Sequence, residues 1–186
     1  WGGEFFIYQS NSMLRHSHFE YFDWLANEKM AKEPRLSLFS LLDSEGQDIF
    51  LNKFSEQEVK IYSNLKDKNK LKTSSVGRLF DAVSSVLGLC DYNSYEAEAS
   101  ILLEQYASDY HNSDHIDFLQ DFTYDKIPSK IIIQQVLNAV ELGINKEKIA
   151  CSFIYTLAKS IVRLSNITGV KTIACSGGVF QNTLLL

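Results

Sequence analysis

Several things are scarce in this chain of 186 residues, and each scarcity closes off a class of protein. Cysteine occurs three times, at Cys90, Cys151 and Cys175, an odd number, widely spaced and among apolar neighbours. That pattern gives neither a disulfide framework nor a zinc site and predicts buried free thiols in a reducing compartment. No apolar run reaches the length of a membrane span, and no signal peptide precedes the first strand, so the expectation is a cytoplasmic protein without a membrane partner. Positive charge is in deficit: the net charge is −5 and the isoelectric point about 5.4. A broad basic face for nucleic acid is excluded, because phosphate contacts need clustered Lys and Arg. The one basic cluster, Lys66, Lys68, Lys70 and Lys72, is expected to be a solvated loop. Internal repeats and low-complexity linkers are also missing.

With 45% hydrophobic and 22% charged residues, the remainder is ordinary globular sequence, enough for one sizeable core. The chain begins at Trp1-Gly2-Gly3 without methionine and stops at Leu186 inside an expected helix, which suggests a fragment.

Glu4 to Gln9 is aromatic and β-branched enough for a strand, and Met13 to Tyr21 returns as its hairpin partner. The aromatic patch of Phe19, Tyr21, Phe22 and Trp24 belongs to the core. Glu33-Pro34-Arg35 puts proline at a helix start, where its missing N–H costs little, and Leu36, Phe39, Leu41 and Leu42 follow as packed positions. Ser55-Glu56-Gln57-Glu58 is a capping box opening a helix to about Leu65.

From Thr73 the pattern is again helical. Val76, Leu79, Phe80, Val83, Val86 and Leu87 make an apolar face, while Gly77, Arg78, Asp81, Ser84, Ser85 and Gly88 make one that is polar yet small. Small residues let a ligand approach the backbone, and Asp81 among them could accept hydrogen bonds from ligand hydroxyls; a solvent-facing helix with an Arg78–Asp81 pair is the competing explanation. Tyr95-Glu96-Ala97 begins another helix, with Ala99, Leu102, Leu103 and Tyr106 inward. Ile116 to Tyr124 is expected as an edge strand. Further helices are expected at about Ser129–Leu142 and Lys146–Ile167, the latter central to the core through Ile149, Phe153, Leu157, Ile161 and Leu164. His111 and His115, four apart, sit in a stretch too polar and turn-prone for a firm helix, and they and the pair His16 and His18 are expected as surface histidines.

The stretch that carries most chemical content is Val170 to Cys175, then Ser176-Gly177-Gly178-Val179-Phe180-Gln181-Asn182, then a leucine-rich tail. It has the form strand, tight turn, helix start. Gly177 and Gly178 can expose bare amides, the first amides of the helix have no internal partner, and Ser176 and Asn182 add polar side chains, so an anion could be held there. The lysine of a Walker-type loop is absent.

Trp1-Gly2-Gly3-Glu4-Phe5, Glu33-Pro34-Arg35, Thr73-Ser74-Ser75 with Gly77-Arg78-Leu79-Phe80-Asp81-Ala82, Tyr95-Glu96 and Ser176-Gly177-Gly178-Val179-Phe180-Gln181-Asn182 resemble, in order and spacing, the C-terminal carbamoyltransferase region of the hydrogenase maturation protein family HypF. The resemblance implies a partial actin-like ATPase fold, helix-rich α/β, related to the tRNA threonylcarbamoyl transferases. It would have an N-terminal β-hairpin, a helical middle and a strand–glycine turn–helix at the end. About 1–25 would be the remainder of a first lobe and about 26–186 the helical part and start of a second.

It further implies nucleotide binding by Asp81, Glu96, Ala97, Ser176, Gly177, Gly178 and Asn182, and no metal ligand or assigned catalytic residue in this chain. The implied cofactors are ATP or carbamoyl-adenylate, with a divalent metal whose ligands lie outside. The implied partners are carbamoyl phosphate, supplied through the longer protein, and a HypE-like protein whose C-terminal cysteine thiol receives the carbamoyl group. Other readings are a tRNA threonylcarbamoyl or small-molecule O-carbamoyl transferase, or a non-enzymatic helical docking scaffold. The family prefers glycine where this chain has Ala97, so an added Cβ stands where backbone approach is wanted. On the resemblance the polypeptide alone would not be a competent transferase.

Overall fold

The computed structural model describes residues 2–42, 52–120 and 126–186. Two antiparallel strands open the chain, β1 (Glu4–Gln9) and β2 (Ser12–His18), paired from Glu4 opposite His18 to Gln9 opposite Ser12, with a register shift between Phe5 and Phe6. Ser10 and Asn11 both take positive φ at the tip, the twist that suits a two-residue hairpin turn. A second two-stranded pair joins β3 (Phe22–Asp23) to β4 (Lys72–Thr73) across fifty residues of chain.

The rest is helical: α1 (Lys29–Lys32), α2 (Pro34–Leu41), α3 (Glu56–Lys68), α4 (Val76–Val86), α5 (Glu98–Ser108), α6 (Ser129–Glu141) and α7 (Lys146–Thr168), closed by a 3-10 turn at Gly178–Gln181. The local reasons are those the sequence supplies. Pro34 stands at the start of α2. The Ser55 hydroxyl accepts from the Glu58 amide while the Glu58 carboxylate accepts from the Ser55 amide, a complete capping box. The Ser75 and Asn145 side chains cap α4 and α7 by accepting from the Arg78 and Lys148 amides, without the reciprocal carboxylate.

The hub is α4, not α7. It packs on α2, α5, α6 and the 3-10 turn, whereas α7 lies mainly against α5 and α6 and reaches α4 through Phe153. The stripe of α7 is nonetheless buried at Ile149, Phe153, Leu157 and Leu164, with the Phe153 and Phe80 rings edge to face at 5.0 Å. α2 is buried on every side, including Arg35. That guanidinium donates to Glu33 at 2.8 Å, Glu58 at 2.6 Å and the Lys53 carbonyl at 2.5 Å. It also lies 4.5 Å from the Phe54 ring centroid and 4.6 Å from that of Tyr92. Charge, hydrogen bonds and aromatic faces are thus all satisfied, which is what permits a buried arginine.

The hairpin is fixed to the helical body at its base. Phe19 N donates to Gly3 O, and the Ser74 hydroxyl donates to Gly2 O at 2.6 Å. Gly3 has φ +68, and a Cβ there would stand 2.3 Å from the Ser74 carbonyl oxygen.

Several expectations fail on particular residues. Val170 to Cys175 forms no strand, because no described segment pairs with it and its side chains are exposed. Ile116 to Gln120 is loop and turn, its amides held by Ser152 and Thr156 of α7 and not by a neighbouring strand; residues 121–125 of that expectation, like Trp1, lie outside the described residues. The small polar face of α4 is not solvent-facing: Asp81, Ser84 and Ser85 are buried under its neighbours. The lysine cluster is only partly a solvated loop: Lys70 is exposed in the connection after α3, but Lys66 and Lys68 close α3, Lys66 donates to the carbonyls of Phe39 and Leu42, and Lys72 in β4 reaches Asp23 at 2.6 Å. His18 is buried with Nδ1 2.6 Å from the Phe19 carbonyl. Of the cysteines only Cys90 is buried; Cys151 is half-buried and Cys175 exposed. In the aromatic patch Phe19 and Phe22 enter the core, but Tyr21 is exposed.

Candidate functional site

Asp81 sits in the middle of α4, 1% exposed, with Arg78 one turn earlier. The Arg78 Nη1 atom approaches Asp81 Oδ2 to 2.6 Å, yet neither carboxylate oxygen has an aligned hydrogen bond. Burial pushes this carboxyl from an ordinary 3.8 up to about 7, with Arg78 opposing the shift. A buried carboxylate without hydrogen bonds is costly, and such groups in native proteins call for a reason. Two buried hydroxyls share the condition: Ser84, one turn along the same helix, and Ser37 on the packed helix α2. Ser37 was missed in the sequence; its signal was a hydroxyl inside a helix apolar all round, Leu36-Ser37-Leu38-Phe39.

The 3-10 turn bearing the glycines packs against α4, so the two stretches singled out in the sequence are neighbours in space. Ser176, Gly177 and Gly178 are exposed. Gly177 takes φ +106, and a Cβ at either glycine would meet nothing within 4 Å, so the backbone there is open to approach. The expected helix after the bend is a four-residue 3-10 turn. A dipole-assisted anion site of the kind expected from a full helix is therefore not formed. Asn182 is buried and used internally, its Oδ1 accepting from the Leu184 and Leu185 amides at 3.0 and 3.1 Å. Beside it, Glu104 of α5 accepts from the Thr183 amide and hydroxyl, tying the tail to the helical body.

Glu96 and Ala97 are exposed at the start of α5, which also packs on α4. Ala97 is the N-cap with φ +63, a left-handed conformation in which glycine carries no Cβ penalty. The loop before it is held by Asn93, whose Nδ2 donates to Ala31 O and whose Oδ1 accepts from the Ala99 amide. Two open clefts among the described residues lie elsewhere, lined by none of Asp81, Glu96, Ala97 or the Ser176–Gly178 bend. Among the described residues no three His, Cys, Asp or Glu side chains converge as a metal-ligand set. No described helix is long and apolar enough to cross a membrane.

Residues 1–186 match the family described as "Carbamoyltransferase, Kae1-like Domain, second subdomain". The chain is 31% identical to a probable carbamoyltransferase HypF of Methanocaldococcus jannaschii, covering all of this chain and 26% of the relative. It is 26% identical to the carbamoyltransferase HypF of Synechocystis, again over all of this chain and 27% of the relative. Its fold superposes on a crystal structure of full-length HypF in the phosphate- and nucleotide-bound form, with a TM-score of 0.87 and 27% identity, covering 100% of this chain and 30% of that one. The fold of the HypF of T. kodakarensis is also similar, with a TM-score of 0.78 at 23% identity, over 93% of this chain and 25% of that one. The chain thus spans about a quarter of the length of the curated relatives it matches. By the match along its whole length, the chain belongs to the HypF carbamoyltransferase family, of whose Kae1-like domain it is the second subdomain.

Proposed function

We propose that this chain supplies one wall of the nucleotide cleft of a HypF-type carbamoyltransferase. The observation that carries the reading is Asp81, a buried carboxylate with no hydrogen bond to either oxygen, on the helix against which the Gly177–Gly178 bend packs. A nucleotide would supply what the fold withholds. Its ribose hydroxyls can donate to Asp81, and its phosphate side can approach the open amides of the bend, with Ser176, Glu96 and Ala97 at the margins. Asn182, at the end of the turn, contributes a side chain whose Oδ1 accepts from the Leu184 and Leu185 amides and whose amide group is left to donate to a ligand. The full-length relative solved with nucleotide and phosphate supports the ligand class.

When bound, carbamoyl-adenylate supplies an activated carbamoyl group for acyl transfer to a thiol. This chain's residues bind and orient the adenylate, and positioning and charge stabilisation are the main sources of rate in such a transfer. The acceptor is the C-terminal cysteine of a HypE-like protein, and the setting is the cytoplasm. About 1–25 is the remainder of a first lobe and about 26–186 the helical part and start of a second, so the 186 residues alone hold only part of the cleft and do not transfer. Calorimetry with AMP on a full-length protein carrying this segment tests the reading: Asp81→Ala should weaken binding at least about tenfold, roughly one lost charge-assisted hydrogen bond. Unchanged affinity would favour a docking scaffold, and carbamoyl transfer to tRNA but not to a HypE peptide would move the activity to the sister family.

A further inference from the structure

A second group of reactive side chains lies apart from Asp81 and the glycine bend. The half-buried Cys151, on the first turns of α7, points its Sγ at Nδ1 of His115, 3.7 Å away. His115 lies against two rings, Tyr155 at 5.1 Å and, edge-on, Tyr110 at 6.0 Å between centroids. Cys151, His115, His111, Tyr110 and Tyr155 line one open cleft of about 520 Å³. That is many times the roughly 30 Å³ share of one water, so the space is large enough for a small organic group. Near the lining rings, Lys159 Nζ is 5.5 Å from the Tyr155 ring centroid, while Lys148, 6.0 Å from that of Tyr110, is paired with Asp114.

The other thiols lack this arrangement. Cys90 is buried and bonded to the Tyr92 carbonyl and Asn93 Oδ1, and Cys175 is exposed on the unpaired segment before the bend. A thiol beside an imidazole at the wall of an open cleft is the pairing that activates cysteine for nucleophilic attack. Burial raises the Cys151 thiol, so the thiolate must be generated in place by a neighbouring base.

We propose that Cys151 and His115 form a thiolation site that takes small-molecule disulfides. With its own proton on Nε2, His115 accepts the Cys151 proton at Nδ1. The thiolate attacks one disulfide sulfur, the S–S bond breaks, and the departing thiolate takes up the proton from the imidazolium. The products are a mixed disulfide at Cys151 and one free small thiol; the disulfide is the oxidant. Leu184, two residues beyond Asn182, lines the same cleft. The thiolation itself does not depend on the nucleotide reading.

The test is incubation of a full-length protein carrying this segment with glutathione disulfide near neutral pH, with site occupancy followed by peptide mass spectrometry. Cys151 should be modified at least about fivefold faster than Cys175, and His115→Gln should remove that advantage while leaving the Cys175 rate unchanged. Cys90 reports on unfolding, since it should stay unmodified throughout. Modification of Cys151 no faster than Cys175 in the unaltered protein, or an advantage that survives His115→Gln, would overturn the proposal.

Discussion

Asp81→Asn converts the unusual carboxyl of α4 into a measurable pH dependence. In the folded chain this group titrates at about 7 instead of 3.8. Below pH 4 it is protonated in folded and unfolded chains alike and has no effect. Between pH 4 and 7 the unfolded chain ionises while the folded chain holds its proton, so stability falls with rising pH; above 7 the loss is complete. A shift of about three units at 1.36 kcal/mol each gives a ceiling of about 4 kcal/mol, and about 2 kcal/mol is a realistic share once relaxation around the group is allowed. Asn is nearly isosteric and does not titrate, and leaving Arg78 without its partner adds a term constant across this window. Urea unfolding at a series of pH values from 4.5 to 7.5 should show Asp81→Asn gaining on the parent by about 2 kcal/mol across the range. Other carboxylates cancel in the difference, including Glu58, which Arg35 holds down to about 2. A stability difference that is flat with pH would refute the burial argument, and with it the claim that the fold tolerates a costly charge for the sake of a ligand.

Ala97→Gly should raise stability by about 0.5–1 kcal/mol in the same denaturation assay, since relief of the left-handed strain exceeds the added chain entropy; a loss would contradict the φ of +63. Gly3→Ala should cost more than about 2 kcal/mol, because its Cβ would collide with the Ser74 carbonyl and its positive φ suits no side chain; a neutral result would deny that the hairpin base is seated as described. Ser55→Ala, which opens the capping box, should cost about 1 kcal/mol by thermal unfolding. Arg35→Met should cost about 2–3 kcal/mol, less than for a fully buried pair because Glu58 is partly exposed; a more stable variant would show that packing alone holds α2.

The helices were legible because their signals are local. Pro34, Ser55, Ser75 and Asn145 each mark a start within one turn, and the stripe Ile149, Phe153, Leu157 and Leu164 repeats within one element. The hairpin was equally plain. Val170 to Cys175 was misread because a β-branched run states only a propensity, whereas a strand requires a partner, and the residues alone cannot say whether one lies alongside. Of the candidate site, the neighbourhood of Asp81 and the glycine bend could be guessed from motif content. The burial of Asp81 could not, since a small polar helix face looks alike under solvent and under a close-packed neighbour. Cys151 and His115 are thirty-six residues apart, and only the docking of the 110–115 loop against α7 brings them together.

The β3–β4 pair has a consequence for the order of assembly. β1 and β2 meet across a two-residue tip and can zip within microseconds, but Phe22 finds Thr73 only after some fifty intervening residues, α1 to α3 among them, have been drawn into place. That short ladder behaves as a clasp fastened late. Mutations at Phe22 or Thr73 should therefore quicken opening far more than they slow closing, while changes at Ser10 or Asn11 should register in the closing rate.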